Sequence, residues 1–273
     1  MSVHSGLGEL VASRELLSNL TLRELRGKYK RTALGWGWSL VNPLAMMAIY
    51  SLVFGILLRV PTPPGAGGLR NYPLFLLCAL LPWTYLSNAM TGGMEVLVGN
   101  ANLIKKTYFR REVLVVSTVL SFAVTFAIEM VVLAVAFLVF GSLVLPWLPV
   151  ALAVMALLTV FATGIALMLS VLNVYFRDAR HLLNIGLQLW FYATPILYPV
   201  SIVTGRASLP HWLKVAYQAN PMVGFAEAMR DVLYRRQFPP LGTVGYLCLV
   251  SVAALTAGAW LFKHLEGRLA EEL

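Results

Sequence analysis

Long apolar runs separated by short basic clusters dominate the chain. Residues 32–58, 71–94, 181–205 and 237–262 contain no Asp, Glu, Lys or Arg, and Glu129 alone interrupts residues 113–176. A helix crosses the hydrocarbon core of a bilayer with about 20 apolar residues, so the longest run holds two crossings and a turn. Gly and Pro between 141 and 149 favour that turn. The pattern predicts six membrane-spanning helices, at 34–58, 72–96, 113–140, 149–176, 182–200 and 241–262.

The composition agrees with a chain that folds in lipid. Of the 273 residues, 59% are hydrophobic and 12% are charged, whereas soluble domains have about 45–50% and about 25%. These values exclude a water-soluble domain and a disordered chain. The net charge of +9 does not indicate nucleic-acid binding, because the basic residues form short clusters between apolar runs and not one basic face. We therefore expect an all-α, multi-pass integral membrane protein with a single domain over residues 1–273.

The distribution of Lys and Arg predicts the orientation. The N-terminal segment, the second–third loop, the fourth–fifth loop and the tail hold 14 of these residues, and the opposite side holds 7. Basic residues are enriched in cytoplasmic segments. We therefore predict that both termini are cytoplasmic.

Residues 13–33 are predicted to form a basic amphipathic helix at the cytoplasmic membrane interface. Thr21 and Glu24 fit a capping box that would start the helix. The residues proposed for its apolar face are Leu22, Leu25 and Tyr29, and those for its basic face are Arg23, Arg26 and Lys30. Two interpretations remain open: a contact with a partner protein, or an anchor that only sets the topology.

The second–third loop mixes apolar and basic residues, which is typical of a surface that contacts a protein. The apolar candidates are Leu103, Ile104, Tyr108 and Phe109, and the basic candidates are Lys105, Lys106 and Arg110. The fourth–fifth loop offers a second contact through Arg177, Asp178 and Arg180. Alternatively, this shorter loop is a capped turn in which Asp178 pairs with an arginine.

The predicted extracytoplasmic segment, residues 201–236, is too patterned to be a simple loop. Asn220 and Pro221 suit the N-cap and first position of a helix, and apolar residues then recur with helical spacing. A second short helix precedes it. We expect an outer helix pair at 209–218 and 221–234.

Several motifs in this order resemble one transporter family. They are Tyr29-Lys-Arg-Thr-Ala-Leu-Gly-Trp-Gly-Trp-Ser-Leu-Val-Asn-Pro43, residues 102–114, Asn173-Val-Tyr-Phe-Arg-Asp-Ala-Arg180, Thr194-Pro195 and Asn220-Pro221 through Arg230. Together they resemble ABC-2 type transporter permeases of the subgroup that exports polysaccharides, O-antigens and teichoic acids. Arg110 stands where many members have Pro.

The resemblance implies the fold and the assembly. It implies six transmembrane helices of ABC-2 exporter type in the bacterial plasma (inner) membrane, assembled as a homodimer with two copies of an ATP-binding cassette subunit. ATP and Mg would bind that partner, which would contact 21–31, 99–111 and 177–181. The outer helix pair would form a gate. The implied activity is export of a lipid-linked polysaccharide of galactan, O-antigen, capsule or teichoic-acid type.

In this family the sugar chain passes along the dimer interface through a tunnel lined with aromatic residues. Flat aromatic rings can cover the C–H face of a sugar. The candidates are Trp36, Trp38, Tyr50, Trp83, Tyr85, Trp190, Phe191, Tyr192 and Tyr198. The competing interpretation is an interfacial belt, where Trp and Tyr are enriched.

Two polar positions inside the spans also call for an explanation. Glu129 is an intramembrane acid, and such groups are rare and usually functional. It is expected either to line the tunnel or anchor packing, or to be a protonated or snorkelling residue. Asn42 precedes Pro43 and could bond backbone groups that a proline kink releases, so these two residues are a predicted hinge.

Other function classes find little support in the sequence. The chain lacks the phosphate-binding pattern G-x-x-x-x-G-K-[ST], so ATP hydrolysis is expected on a separate chain and no cofactor on this one. No His or Cys spacing indicates a metal site, and the spans lack the clustered side chains of an intramembrane enzyme or the filter of an ion channel. An ABC-2 exporter of a drug or small lipid remains the alternative.

Overall fold

The computed structural model describes residues 14–28, 35–106, 109–206 and 209–268, apart from the side chains of Trp36, Ser39 and Arg268. Within these ranges every regular element is a helix. The α-helices in chain order are α1 (Arg14–Lys28), α2 (Trp38–Tyr50), α3 (Tyr72–Gly99), α4 (Ala101–Lys106), α5 (Glu112–Val139), α6 (Leu148–Tyr175), α7 (Ala179–Tyr192), α8 (Ser201–Thr204), α9 (His211–Gln218), α10 (Pro221–Met229) and α11 (Leu241–Leu265).

Two of these helices continue as π-helices, α2 over Ser51–Leu57 and α10 over Arg230–Arg235. Short 3-10 turns occur at Gly35–Gly37, Ala66–Gly68, Leu145–Trp147 and Glu266–Arg268. The predicted residues Tyr29, Lys30 and Tyr108 lie outside the described residues, as does the side chain of Trp36.

Five helices have the length and composition needed to cross a membrane. They are Leu40–Leu57, Tyr72–Gly99, Glu112–Val139, Leu145–Tyr175 and Leu241–Leu265. They correspond to the first, second, third, fourth and sixth predicted spans. A helix of 28 residues is about 42 Å long, which exceeds the ~30 Å hydrocarbon core.

The fifth predicted span is different, because residues 182–200 do not form one continuous helix. Helix α7 has 14 residues and is therefore about 21 Å long. It ends at Tyr192, where Thr194 Oγ1 bonds back to the Trp190 carbonyl (2.8 Å) and Pro195 follows, which cannot continue a helix. The sixth crossing therefore stays a prediction.

The segment around α7 nevertheless follows α3 over nearly its whole length. Arg180 Nε lies 2.8 Å from Glu95 Oε1 at one end of α3. At the other end, Tyr72 Oη donates a hydrogen bond to the Leu197 carbonyl (2.7 Å). Residues 72 and 95 of a helix are separated by about 34 Å. Helix α7 and the non-helical residues after it therefore cover about the depth of a spanning helix.

Helix α3 is the centre of the bundle and is buried along most of its length. It packs against α5, α6 and α10. Helix α11 packs on the outside of α6, where Gly164 and Gly258 meet without side chains between the two backbones. Helices α2 and α11 leave most of their apolar surface exposed, as expected for helices that face lipid or another chain.

Helix α1 packs on α5 through Leu20 and Leu25, which are both buried. The prediction that Thr21 and Glu24 form a capping box is wrong, because the helix already begins at Arg14 and Thr21 Oγ1 donates to the Leu17 carbonyl (2.7 Å). Leu22 is 45% exposed. The buried face therefore contains Leu25, as predicted, but has Leu20 in place of Leu22.

Candidate functional site

Helices α2, α3 and α7 enclose an open groove of about 340 Å³, which we call the polar groove. Its walls combine aromatic, amide, hydroxyl and aliphatic side chains. They are Asn42, Met46, Tyr50, Leu80, Trp83, Thr84, Ser87, Asn88, Leu187, Gln188, Phe191 and Tyr192.

Four aromatic side chains from three helices meet in the polar groove. The Tyr50 and Phe191 rings stack with centroids 5.9 Å apart, and Trp83 approaches Phe191 edge-on at 5.7 Å. Tyr192 lies next to Phe191, with ring centroids 5.2 Å apart. Trp83 is the twelfth residue of α3, about 16 Å from its first residue. The cluster therefore lies well inside the span and not at its end, where an interfacial belt would lie.

Three amide side chains face the same groove. Asn42, Asn88 and Gln188 are exposed, and no hydrogen bond joins their side chains to another described residue. An amide without a partner is costly in hydrocarbon. Polar groups inside membrane proteins therefore face a water-filled cavity or another polar group. The polar groove accordingly suits water or a hydrated ligand better than lipid tails.

Asn220 fixes the end of α7 that carries the aromatic residues. Its Oδ1 accepts hydrogen bonds from Trp190 Nε1 (2.7 Å) and from the Met222 backbone N–H (3.0 Å). Its Nδ2 donates to the Ala193 carbonyl (3.3 Å) and to Thr194 Oγ1 (3.2 Å). One side chain therefore caps α10, as predicted, and also holds the polypeptide that leaves α7.

Arg230 supports the same non-helical segment from the core. It has no exposed surface, and its Nη2 donates to the Ile196 carbonyl (2.8 Å). Its Nη1 lies 2.9 Å from Glu227 Oε1, and its guanidinium carbon lies 3.8 Å from the centroid of the Phe75 ring. Irregular backbone at membrane depth must have its polar groups satisfied by protein or water. Arg230 supplies one of those donors.

The other aromatic candidates lie elsewhere. Trp190 does not line the groove but contacts Trp83 edge-on, with ring centroids 5.7 Å apart. Tyr198 does not line it either, and its Oη donates to the Tyr192 carbonyl (3.0 Å). Trp38 is 49% exposed but does not line the groove. The prediction that Tyr85 lines the path is wrong. Tyr85 is buried, and its ring stacks on that of Phe126 with centroids 4.9 Å apart, on the side of α3 that faces α5.

Sequence reasoning missed the amide and hydroxyl lining. Asn88, Gln188, Thr84 and Ser87 were not among the predicted residues, although each is a polar residue inside an apolar run. Their isolation within a span is the signal that was available.

The two proposed hinge residues face different grooves. Pro43 is buried within a continuous helix. The predicted bond from Asn42 to kinked backbone is not found among the described residues, because the Asn42 side chain faces the polar groove. The hinge itself stays a prediction.

Glu129 does not reach the polar groove. It is 5% exposed and lines a second, almost wholly apolar groove of about 320 Å³ between α2, α3 and α5. Pro43 lies in the wall of the same groove. Glu129 therefore lies beside an apolar groove and outside the aromatic cluster, and its role stays a prediction.

The second–third loop contains the short helix α4, from which Lys105 and Lys106 project into solvent. The prediction that Ile104 contacts a partner is wrong, because this side chain is buried in the chain's own core. Leu103 and Phe109 also pack partly against that core. Arg110 Nη2 lies 2.9 Å from Glu112 Oε1.

The fourth–fifth loop leaves Arg177 and Asp178 exposed. The alternative prediction, a capped turn in which Asp178 pairs with an arginine, is wrong for Arg180. The start of α7 lies beside α3, so Arg180 pairs with Glu95 instead. In α1, Arg26 is exposed, and Arg23 Nη2 donates to Glu24 Oε1 (3.0 Å) and Asn100 Oδ1 (3.1 Å). Helix α1 and the start of α7 are thus both joined to the C-terminal end of α3, through Asn100 and Glu95 respectively.

The described residues contain no group of three or more His, Cys, Asp or Glu side chains that could hold a metal ion. The groove chemistry therefore consists of aromatic faces, amides and hydroxyls. Such a surface can bind a neutral polar ligand through ring contacts and hydrogen bonds.

Comparison with known proteins identifies relatives that align along nearly the whole chain. The chain is 30% identical to the O-antigen export system permease protein RfbA of Myxococcus xanthus, over 97% of this chain and 98% of that protein. It is 31% identical to an O-antigen export system permease protein RfbA of Klebsiella pneumoniae, over 95% of both chains. It is 22% identical to the polysialic acid transport protein KpsM of Escherichia coli, over 90% of this chain and 92% of that protein.

The ABC-2 type transporter family matches residues 15–234. This range includes α1 from Glu15 onward, the polar groove, Asn220 and Arg230, and both loops with exposed basic residues. The chain is therefore a multi-pass membrane protein that belongs to the ABC-2 type transporter family.

Proposed function

We propose that this chain is the transmembrane subunit of an ATP-driven exporter that moves a lipid-linked polysaccharide from the cytoplasmic to the outer face of the plasma membrane. The observation that carries the proposal is the polar groove, where Tyr50, Trp83, Phe191 and Tyr192 lie beside three amides that have no hydrogen-bond partner among the described residues. The named relatives, O-antigen and polysialic acid transport proteins, support the same substrate class.

The groove chemistry fits a moving sugar chain. A pyranose ring has an apolar C–H face that packs on an aromatic ring, and its hydroxyls can exchange hydrogen bonds with amide side chains. Transport requires contacts that are weak enough for the substrate to leave. An open groove without a closed pocket provides such contacts along its length.

The groove is formed on the exposed faces of α2 and α7, so a second copy of the chain would complete its wall. Helix α7 presents Leu182, Ile185, Leu189 and Tyr192 on one exposed face, at spacings that follow a helix. We propose that the functional permease is a homodimer with the substrate path along this face. Tyr50, Trp83, Phe191 and Tyr192 are the proposed path aromatics.

Energy would come from two copies of an ATP-binding cassette subunit, which would hold ATP and Mg. The proposed contacts are α1, the loop around α4 and the start of α7. Two contacts support a common surface: Arg23 with Asn100 joins α1 to the end of α3, and Arg180 with Glu95 joins α7 to it. The exposed residues for the partner are Lys105, Lys106, Arg177 and Asp178.

We further propose that α7 and residues 193–197 together make the sixth crossing, which would place both termini in the cytoplasm. The contacts of this segment at both ends of α3 support it, as does the excess of basic residues on the predicted inner side. The outer helices α9 and α10 would then lie outside the cytoplasm and serve as the gate.

Depletion of the chain tests the proposed substrate class. Lipid-linked glycan should accumulate on the cytoplasmic leaflet, since synthesis continues without export. A glycan pool that does not change, together with altered efflux of a drug or small lipid, would instead favour the alternative exporter.

A groove variant separates the path from general folding effects. Tyr192 is 58% exposed, so Tyr192→Ala should leave the fold intact and lower export several-fold. Trp260 on α11 is 63% exposed and lies outside the groove. Trp260→Ala is therefore the matched control and should export at the wild-type rate.

A further inference from the structure

The described residues that line the polar groove carry no formal charge. Its twelve lining residues, all described, include no Asp, Glu, Lys, Arg or His. The polar atoms in its wall belong to amides, hydroxyls and aromatic side chains. This neutrality is notable in a chain with 21 Lys and Arg residues, because many basic side chains were available to line a path.

Two charged residues near the ends of α7 are already paired. Arg180 Nε lies 2.8 Å from Glu95 Oε1 at its start. Beyond its other end, Arg230 is fully buried and pairs with Glu227 at 2.9 Å. Glu129 opens onto the separate apolar groove between α2, α3 and α5. None of these charges is available to compensate an anion that enters the polar groove.

An anionic sugar would therefore be penalised in this groove. A carboxylate that leaves water needs an opposite charge or several hydrogen-bond donors, and an unpaired one costs several kcal/mol. Pores that conduct anions meet this need with rings of Arg or Lys. A neutral sugar has no such requirement, because its hydroxyls accept from and donate to Asn42, Asn88 and Gln188 without a net charge being buried.

We propose that the polar groove selects polymers whose repeat units are uncharged, as opposed to polymers rich in carboxylate or phosphate. This assignment rests on the proposed function of polysaccharide export and specifies its substrate class. The selectivity arises because the described lining residues include no compensating cation, and not because one residue recognises one particular sugar.

The native polymer gives the first test. The chain is depleted in its own cell, and the lipid-linked glycan that accumulates is isolated and its repeat unit analysed for acidic groups. A neutral repeat unit supports the assignment. A repeat unit with a carboxylate or phosphate overturns it, while polysaccharide export stands. If no glycan accumulates, polysaccharide export itself fails, and the assignment fails with it.

A charge-reversal pair gives the second test. Gln188→Glu and Gln188→Lys place opposite charges at one exposed position of the groove, and export is measured for each as surface glycan per cell. A neutral polymer should be slowed equally by both variants, within about twofold, because no charge on the substrate distinguishes them. An anionic polymer would be repelled by Glu and attracted by Lys, so export at least about tenfold lower for Glu than for Lys overturns the assignment.

The matched control for the pair lies outside the groove. Leu241 at the start of α11 is 89% exposed and is not a groove residue. Leu241→Glu and Leu241→Lys carry the same charges and should agree with each other within about twofold for any polymer, because screening weakens the interaction between distant exposed charges. A difference between Glu and Lys that is confined to Gln188 therefore reports the charge of the substrate in the groove.

Discussion

The indole Nε1 of Trp190 donates a 2.7 Å hydrogen bond to Oδ1 of Asn220, 30 residues further along the chain. Trp190 touches Trp83 on the other side. The bond therefore connects the aromatic cluster of the groove to the start of α10, the proposed outer helix. Movement of α10 would pull on this bond, which gives the proposed gate a direct mechanical link to the proposed path.

Asn220→Ala should lower the stability of the protein by about 2–3 kcal/mol. The change removes a helix cap, worth about 1 kcal/mol, and leaves Trp190 Nε1 and the Ala193 carbonyl without their partner, at about 1 kcal/mol each. Thermal unfolding of the detergent-solubilised protein measures the loss. Asn184→Ala on the exposed face of α7 is the control. Equal melting temperatures for both variants would show that the hydrogen bonds of Asn220 do not stabilise the fold.

Arg230→Ala should be more damaging, by about 3–5 kcal/mol, because it leaves the buried Ile196 carbonyl without its donor and opens a cavity where the fully buried side chain packs on Phe75. Glu227 keeps its ion pair with Arg235 (3.0 Å). Arg230→Lys keeps the charge but cannot make the separate contacts of a guanidinium, so it should rescue only part of the loss. The yield of folded protein by size-exclusion chromatography and its melting temperature measure both effects. Arg206 is exposed, and Arg206→Ala should behave as wild type.

A side chain at the contact between α6 and α11 should also be destabilising. A Cβ added to Gly164 would overlap the backbone of Ala254, and one added to Gly258 would overlap the Gly164 carbonyl. Gly164→Ala should therefore cost about 1–3 kcal/mol through forced separation of the helices. Gly245 on α11 has no neighbour within 4 Å of an added Cβ. Gly245→Ala should be neutral or slightly stabilising, since Ala favours helix. A loss of stability equal to that of Gly164→Ala would contradict the close contact between α6 and α11.

Burial of the Lys28 amine predicts that the stability of the protein depends on pH. Its Nζ lies 3.1 Å from the centroid of the Phe122 ring, and burial lowers its pKa from 10.5 to about 8, although Glu24 and Glu129 oppose the shift. Between pH 8 and 10.5 the unfolded chain holds more protons than the folded one, so stability should rise with pH in that interval. Below pH 8 the full penalty of burying the ammonium group applies.

Lys28→Met removes that penalty. The variant should melt at a higher temperature than wild type at pH 7, and the difference should shrink as the pH approaches 10.5. Lys105 is exposed, so Lys105→Met should leave the pH profile unchanged. A constant difference between Lys28→Met and wild type across this pH range would show that the buried amine is not the cause.

Lys105→Glu combined with Lys106→Glu should lower the ATPase stimulation and co-purification of the ATP-binding partner. Both residues are exposed on α4, and reversal of their charge should repel acidic groups of a partner. Lys214→Glu, on the proposed outer helix α9, carries a similar change away from that surface. Wild-type ATPase activity and co-purification for the double variant would remove α4 from the partner contact.

The long helices were predictable because charge marks their ends. Helices α3, α5 and α11 begin within a residue of their predicted starts and end within three of their predicted ends, since each apolar run is bounded by charged residues in the sequence. The cap at Asn220 was also predictable and is confirmed by its bond to the Met222 N–H. Local sequence contains that information.

The irregular end of α7 and the polar lining of the groove were not predictable from runs and spacing. The uncharged run over residues 181–205 would be equally long if the helix continued past Tyr192. The length of the run therefore does not indicate that the helix ends there. Asn88 and Gln188 lie 100 residues apart and acquire a shared meaning only when α3 and α7 pack together. Arg230 reads as an exposed loop cation until Glu227 and a backbone carbonyl satisfy it inside the core.

Helix α2 stands between two grooves and has Pro43 as the only buried residue of its spanning part. Such a helix adds little to the free energy that holds one chain together. Substitutions on its outer surface should therefore leave the melting temperature nearly constant and change transport instead. Thermal screens would overlook them, and only assays of the working complex would reveal what this helix does.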